Sequence, residues 1–507
     1  MGNEMKIKVK FLDVSTEPTV LMGEEDAAKI GGKDNDRVKI ENGKRSTIAL
    51  LNVSDAFITP NEAVLSSVLK SKLDAEDGDI MEIVYSNSPE SVRSIRKKMD
   101  NDKLSKEEIN AVVNDILENK LSKIEISAWL TALYINGMDI EEIAFFTEAM
   151  VNTGDRVQFD HKPVFDFHSL GGVPGNKITP IVVSIVAAAG FMLPKTSSRA
   201  ISSACGTSDF VETFCDVELE ASELKDISER VGGVLAWGGS MNLAPVDDIV
   251  IKVEHPLGIN PRAQMLASIL SKKVAIGATH LVVDIPMGSG TKVPTIEVAR
   301  AYARDFMDLG EKLGMHIECA ITYADQPVGN AIGPILEARE CIRILEGNKH
   351  PASVVEKACD IAGMILEMGG SFNGGDKARE ILESGKAMAK FREIVEAQRG
   401  NKNIKSDDLI PGEFVIDVIS RKAGYVHSIN NKDLVSVAKA TGAPSDKGAG
   451  LVLFKKKGQR VEKGEILFQI YGDNKAKAER AKELAEKYQP FSIEGMLLNK
   501  VAPTKVR

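Results

Sequence analysis

The residues best suited to chemistry lie between Asp166 and Glu212, in the segments DFHSLGGVPGNKITP and PKTSSRAISSACGTSDFVE. In the first, Gly171, Gly172 and Gly175 follow an apolar strand-like run, VFDF, and precede an apolar helical run that starts near Lys177. Glycine takes positive φ and lets the backbone come close to a ligand. Backbone N–H groups in such a turn, with a helix N-terminus behind them, make an anion nest. Ser169, Lys177 and Thr179 add side-chain donors and complete a candidate phosphate site. The spacing fits neither GxxxxGK[ST] nor GxGxxG, and a tight connection is the competing reading of the turn. In the second segment, Ser197, Ser198, Ser202, Ser203 and Thr207 surround Arg199, and Asp209 and Glu212 follow. Hydroxyls, backbone amides and one guanidinium suit a phosphate and a ribose together. The competing reading is a Ser/Thr-rich loop that caps its own helix.

His168 directly precedes the glycine turn. On a strand it reads as structural; at the mouth of an anion nest it reads as a proton-transfer group. His255, His280 and His316 lack such neighbours and read as structural. A third cluster is Asn260-Pro261-Arg262, followed by Ser268 and Lys272 at i, i+4 on one helix face. A fourth is MGSGTKVP, where Lys292 follows Gly288 and Gly290 after the apolar run LVVDIP. Each reads alone as a surface feature; convergence at the strand ends of one sheet favours a site.

Four pieces of chain must position these residues. Residues 1–86 read as a β-rich domain, with KIKVKFLDV alternating and Asn42-Gly43 marking a hairpin. Residues 87–160 switch to helical period, with capping boxes Ser105…Glu108 and Ser122…Glu125, a third helix opening at Asp139, and Gly137 and Gly154 as helix ends. This small helical domain is expected to be completed by a segment near 243–275. Residues 161–410 alternate short apolar strands, read as buried (GVLAWGG, HLVVDIP, IECAITYAD), with helices, which means an α/β sheet with ligands beyond the strand C-termini. Residues 411–507 return to β with a charged terminal helix, an α+β piece of barrel-like rhythm in GQRVEKGEILFQIYG. It lacks the lysine turn of a carrier domain and reads as structural.

Composition narrows the class. Lys and Arg total 64 against 73 Asp and Glu, a formal charge of −9, which argues against a nucleic-acid partner. The five cysteines are widely spaced with no CxxC pair, which argues against a disulfide framework or structural zinc and favours a reducing cytoplasm. The opening MGNEMKIKVK has no apolar h-region, and Ile181–Leu193 is too short to span a bilayer, so neither a secretory leader nor a membrane span is expected.

From about residue 87 onward the chain resembles the thymidine/pyrimidine-nucleoside phosphorylase family. That family's K-H-S-T-G-G-x-G-D loop corresponds to Phe167-His168-Ser169-Leu170-Gly171-Gly172, then Gly175-Asn176-Lys177. Its S-G-R-G-L-x-x-T-G-G-T-x-D-x-L-E signature corresponds to Ser197-Ser198-Arg199-Ala200-Ile201, Ala204-Cys205-Gly206-Thr207, Asp209 and Val211-Glu212. The ASIL-x-K-K pattern recurs at Ala267–Lys273, and GSG at Gly288–Gly290. The departures are the loop lysine (here Phe167), one extra residue in Gly172-Val173-Pro174-Gly175, and no base-reading arginine near Val253–His255. The added N-terminal β domain and the SSRAISSACGTSDF form resemble an archaeal branch of the family whose substrate is AMP.

The resemblance implies a central nucleoside-phosphorylase/phosphoribosyltransferase-like domain and phosphorolysis of AMP by inorganic phosphate, with CMP and UMP as further substrates. The products are the free base and ribose 1,5-bisphosphate, within nucleotide salvage. It implies no cofactor, phosphate being a co-substrate, and a homo-oligomer with a dimeric core, from which the added β domain could build larger assemblies. It places the nucleotide against Gly172, Ser198, Arg199, Ala200, Ile201, Ser202, Ser203, Thr207, Ser268 and Lys292, with Arg199 and Lys292 the fixed cations for the 5′-phosphate. A substrate that spans the helical and α/β domains implies hinge closure. The branch's proton donor is an aspartate in an I-D-P motif; here the motif reads Ile259-Asn260-Pro261. A neutral amide donates a hydrogen bond but gives up no proton. Three readings stay open: another acid, His168 first among them; a slow enzyme; or a substituted active site. The loop PKTSSRAISSACGTSDFVE also resembles that of anthranilate phosphoribosyltransferase. That enzyme, a plain nucleoside phosphorylase and a non-catalytic AMP-binding protein are the alternatives.

Overall fold

The computed structural model describes residues 4–13, 17–56, 58–200 and 203–497. The chain divides into two compact units: residues 1–154 with 244–271, and residues 155–243 with 272–507.

The first unit opens with six strands, β1 (Met5–Leu12), β2 (Thr19–Met22), β3 (Arg37–Asn42), β4 (Arg45–Val53), β5 (Glu62–Ser66) and β6 (Ile80–Ser86). They close into a barrel in the order β1-β5-β2-β4-β3-β6. Alternation dictates the faces: Ile7, Val9, Val38, Ile40 and Leu65 point inward and are buried. The β3–β4 hairpin turns one residue later than the sequence suggests. Asn42 pairs with Arg45, and the two-residue loop is Gly43-Lys44 with Gly43 at φ 60°.

Four helices follow: Ser91–Met99, Lys106–Leu117, Lys123–Asn136 and Ile140–Val151. The last three start at capping boxes on Ser105, Ser122 and Asp139. Gly137 ends one helix at φ 67°, whereas the last ends at Asn152 in αR conformation, ahead of Gly154. The apolar faces share one core in which Trp129 and Phe146 meet edge to face at 5.8 Å. Ala244, Val246, Val250, Val253 and Ala267 enter the same core, so the 244–271 segment supplies helices to this bundle. Arg37 joins barrel to bundle: its Nε donates to the Lys120 carbonyl at 2.6 Å and its guanidinium pairs with Glu125.

The second unit holds a parallel sheet of β7 (Phe165–Ser169), β8 (Leu193–Ser197), β9 (Gly233–Trp237), β10 (His280–Met287) and β11 (His316–Tyr323). Order β11-β10-β7 is continued by a bridge from Val164 to Met192 into the β8-β9 pair. The apolar runs of β9 and β10 and the helix Thr179–Ala188, buried through Ala187, are what a sheet covered on both faces requires, whereas β11, expected to be buried, is an edge strand left half-buried to exposed at all but Ile317. The C-terminal piece carries β13 (Phe414–Ile419), β14 (Gly424–Ile429), β15 (Gly450–Leu453), β16 (Arg460–Val461), β17 (Ile466–Gly472) and β18 (Phe491–Glu494). With β12 (Ala331–Ile332) they form two open sheets, β12-β15-β17-β13 and β16-β14-β18, packed with helices Asn431–Ala440 and Lys475–Tyr488. Two ammonium groups grip the 327–331 loop. Lys456 Nζ donates to the carbonyls of Pro327 and Gly329 at 2.6 Å each, and Lys177 Nζ donates to those of Val328 and Ala331 at 3.3 and 2.9 Å.

Candidate active site

The candidate residues of the second unit gather at the carboxyl edge of its parallel sheet. The turn 170–175 leaves β7, the 198–206 loop leaves β8, and the 288–292 loop leaves β10. In open α/β sheets this edge is where ligands bind. Gly171, Gly172 and Gly175 have φ of 73°, 84° and 73°. A Cβ on Gly172 would stand 3.1 Å from the Lys292 backbone nitrogen, so glycine lets the turn lie against the loop that carries Lys292. Ser169 Oγ accepts from Asn176 Nδ2 at 3.0 Å and from the Gly171 N–H at 3.4 Å, which folds the turn over the strand end.

The hydroxyl loop is closed by one buried carboxylate. Asp209 Oδ2 accepts from the N–H of Ala200 at 2.7 Å and of Gly206 at 2.8 Å. A Cβ on Gly206 would stand 2.6 Å from the Ala200 nitrogen, so the loop's two ends meet only because residue 206 is glycine. Thr207 opens the short helix Thr207–Val211, and Ser203 Oγ donates to the Cys205 carbonyl at 3.1 Å. Ser198 is exposed, and its carbonyl accepts from the Ser208 N–H at 3.3 Å. Ile201 and Ser202 lie outside the described residues.

Two expected ligands are engaged elsewhere. Lys177, expected at the phosphate, is fully buried and already partnered: besides its two carbonyls it pairs with Glu340 Oε2 at 2.6 Å. Lone-pair oxygens surround the ammonium on the inner side, which removes it as an anion ligand. Thr179 is buried in the first turn of its helix. Arg199, expected at the nucleotide phosphate, is a strut. It pairs bidentately with Glu212, reaches Glu218 at 3.0 Å and Asp209 at 3.7 Å, and stacks over Trp237 at 4.7 Å. The hydrogen bonds from Arg199 pull the Glu212 carboxyl down to about 2, and Lys447 adds to this from the C-terminal piece at 2.7 Å. A guanidinium shared among three carboxylates has little left for a phosphate.

His168 stands on β7 opposite Val283. Burial first, then the charges of Lys273, Lys195, Lys292 and Lys272, hold its imidazole well below the usual histidine range. It is therefore neutral at physiological pH, a hydrogen-bonding group rather than a store of transferable protons. That argues against His168 as the substitute acid.

Asn260 and Ser268 belong to the first unit. Asn260 is exposed, and its Nδ2 lies 3.7 Å from Met265 Sδ, a weak acceptor. Ser268 donates to Asp247 Oδ2 at 2.7 Å, and Gln264 Nε2 donates to the other oxygen at 3.1 Å. The hydroxyl hydrogen is thus turned inward, and its oxygen remains an acceptor. The carboxylates Asp166, Asp209 and Asp247, which organise these sites, were not among the residues singled out as ligands; their one sequence signal is a charged residue inside an otherwise apolar or hydroxyl-rich run.

Family models match most of the chain: "Glycosyl transferase family, helical bundle domain" over residues 92–154, "Glycosyl transferase family, a/b domain" over 161–388, and "Pyrimidine nucleoside phosphorylase C-terminal domain" over 425–492. AMP phosphorylase of Thermococcus kodakarensis is 48% identical over 501 residues, 98% of this chain and 99% of that protein. The chain belongs to the AMP phosphorylase family. Further members at similar distance are AMP phosphorylase 1 of Archaeoglobus fulgidus, 45% identical over 94% of this chain and 95% of that protein, and AMP phosphorylase of Methanococcoides burtonii, 45% identical over 99% and 100%. Among solved structures, anthranilate phosphoribosyltransferase of Thermus thermophilus matches 61% of this chain and 99% of its own with a TM-score of 0.51 at 19% identity, a likeness of fold. The family's helical, α/β and C-terminal parts are thus all present, with the six-stranded barrel ahead of them. Among the described residues no helix is long and apolar enough to cross a membrane.

Proposed function

We propose that this chain is a pentosyltransferase that cleaves AMP with inorganic phosphate. Phosphate oxygen bonds to C1′ of the ribose as the bond to adenine breaks, giving adenine and ribose 1,5-bisphosphate. CMP and UMP are the further substrates of this reading. The observation that carries it is that the glycine turn and the Asp209-closed hydroxyl loop leave the carboxyl ends of neighbouring strands, β7 and β8, in a chain alike over 98% of its length to an AMP phosphorylase.

The tasks divide by chemistry. The turn's N–H groups with Ser169 and Thr207 hold the attacking phosphate, as oriented dipoles do for an anion. Lys292, whose backbone lies against Gly172, is the second cation of this reading, set toward the 5′-phosphate. Asn260 meets the departing base with a hydrogen bond in place of a proton. The enzyme works as a cytoplasmic homo-oligomer with a dimeric core, which sedimentation of the purified protein tests.

Adenine release from AMP, with and without phosphate and with adenosine in parallel, tests the reaction. Phosphate-dependent release from AMP and little from adenosine is expected. Equal cleavage of adenosine or thymidine would instead mark a nucleoside phosphorylase. Dependence on phosphoribosyl pyrophosphate and Mg²⁺ would mark a phosphoribosyltransferase. AMP binding with no release would mark a sensor.

A further inference from the structure

Beneath the glycine turn, three buried charges do not balance. Asp166 is wholly buried, with Lys273 Nζ at 2.6 Å from its Oδ2 and Lys195 Nζ at 3.5 Å from its Oδ1. Lys195 and Lys273 are only 4% and 2% exposed. Asp166 Oδ1 also accepts from the Phe167 N–H at 2.7 Å, and Lys195 Nζ, which lies beside the like-charged Lys273, donates to the Thr196 carbonyl at 2.6 Å. While Lys195 is protonated, two ammonium groups therefore share one carboxylate in a place shielded from water. An uncompensated buried charge is costly unless a counter-ion arrives.

The surplus lies on the two strands that feed the candidate site. Asp166 is on β7, three residues before Ser169 and the glycine turn, and Lys195 is on β8, two residues before Ser197 and the hydroxyl loop. The field reaches the turn: after burial, the charges of Lys273 and Lys195 do most to keep the His168 imidazole neutral. Phe167 stands where the resembled loop has a lysine, and Lys195 Nζ sits over that phenyl ring at 5.2 Å. The ammonium that position 167 lacks is supplied from the adjacent strand.

We infer that Lys195 and Lys273, poised on Asp166, are the built-in counter-charge for the attacking inorganic phosphate, making them positioning residues for that substrate. The inference rests on the proposed reaction for its ligand, but its test reads binding and not turnover. The full-length protein is titrated with inorganic phosphate alone, by calorimetry and by the phosphate-induced rise in Tm. Lys195→Met is expected to raise the phosphate Kd about tenfold, the scale of one charge interaction in a poorly screened site. Lys195→Arg is expected to recover most of it. Lys273→Met, which removes the same surplus from the other side, serves if the first variant fails to fold.

A merely structural role would lower Tm without phosphate and leave the phosphate Kd unchanged, and that result overturns the inference. It is also overturned if AMP affinity falls and phosphate affinity does not, because the counter-charge would then serve the nucleotide's 5′-phosphate, or if the wild type binds no phosphate. If phosphate binding follows the charge but no adenine is released from AMP, the proposed reaction fails and this inference stands.

Discussion

Arg199 and Glu212 meet face to face, Nη1 to Oε2 at 2.8 Å and Nη2 to Oε1 at 2.7 Å. The pair locks the start of the hydroxyl loop to the helix end that follows it, and Lys447 ties the same carboxylate to the C-terminal piece. If the pair is a strut, Arg199→Lys and Glu212→Gln should each lower kcat/KM for AMP about tenfold or more, and the double variant should be no worse than either. Two residues acting as one unit show that non-additivity. A rise in AMP KM confined to Arg199→Lys would return the guanidinium to the nucleotide.

Asn260 occupies the position of the branch's aspartic acid. General-acid help is typically worth about 10²- to 10⁴-fold. Asn260→Asp should therefore raise kcat for AMP at least tenfold, read as adenine released per unit time at saturating phosphate. An unchanged or lower kcat would mean that the amide's hydrogen bond is what this site is built for.

Lys177 should matter to folding and little to phosphate. Its removal leaves Glu340 and two carbonyls without their cation in a buried place. Breaking such a pair from one side costs about 3–5 kcal/mol. Lys177→Met should lower the urea midpoint accordingly, and Lys177→Met with Glu340→Gln should recover part of the loss. A stable single variant with weakened phosphate binding would reinstate Lys177 as a ligand.

The pH dependence should report Lys195. Burial lowers its pKa to about 7, against the attraction of Asp166 and with repulsion from Lys273. The folded value lies below the ordinary lysine value of 10.5, so folding releases a proton between those limits. This group's contribution to stability is therefore least favourable below pH 7 and improves as pH rises toward 10.5. Lys195→Met should flatten that rise in denaturant titrations. Phosphate affinity runs the other way, because the ammonium is lost above pH 7, and Lys195→Arg should hold affinity constant from pH 8 to 9, where inorganic phosphate is already the dianion. His168 is already neutral across this range and adds no slope. A wild-type affinity flat from pH 8 to 9 would contradict the loss of the Lys195 ammonium.

Local rules were enough to read much of this protein from its residues. The capping boxes at Ser105, Ser122 and Asp139, the apolar strands at 233, 280 and 316, and the positive-φ glycines of the turn each depend on neighbours a few residues away. The phosphorylase loop and signature were legible for the same reason, since a ligand-binding turn is a short contiguous object. Charge partnership is not local. Lys177 looked like a phosphate ligand until Glu340, 163 residues on, came to meet it, and Arg199 until Glu218 and Trp237 joined Glu212 around it. Lys195 and Lys273 lie inside the motif segments, but nothing in the sequence pairs them, because only the fold sets both on Asp166. Spacing tells which side chains could hold an anion; which cations stay available is decided by the carboxylates that tertiary packing brings near, because a buried charge takes the nearest partner the fold supplies.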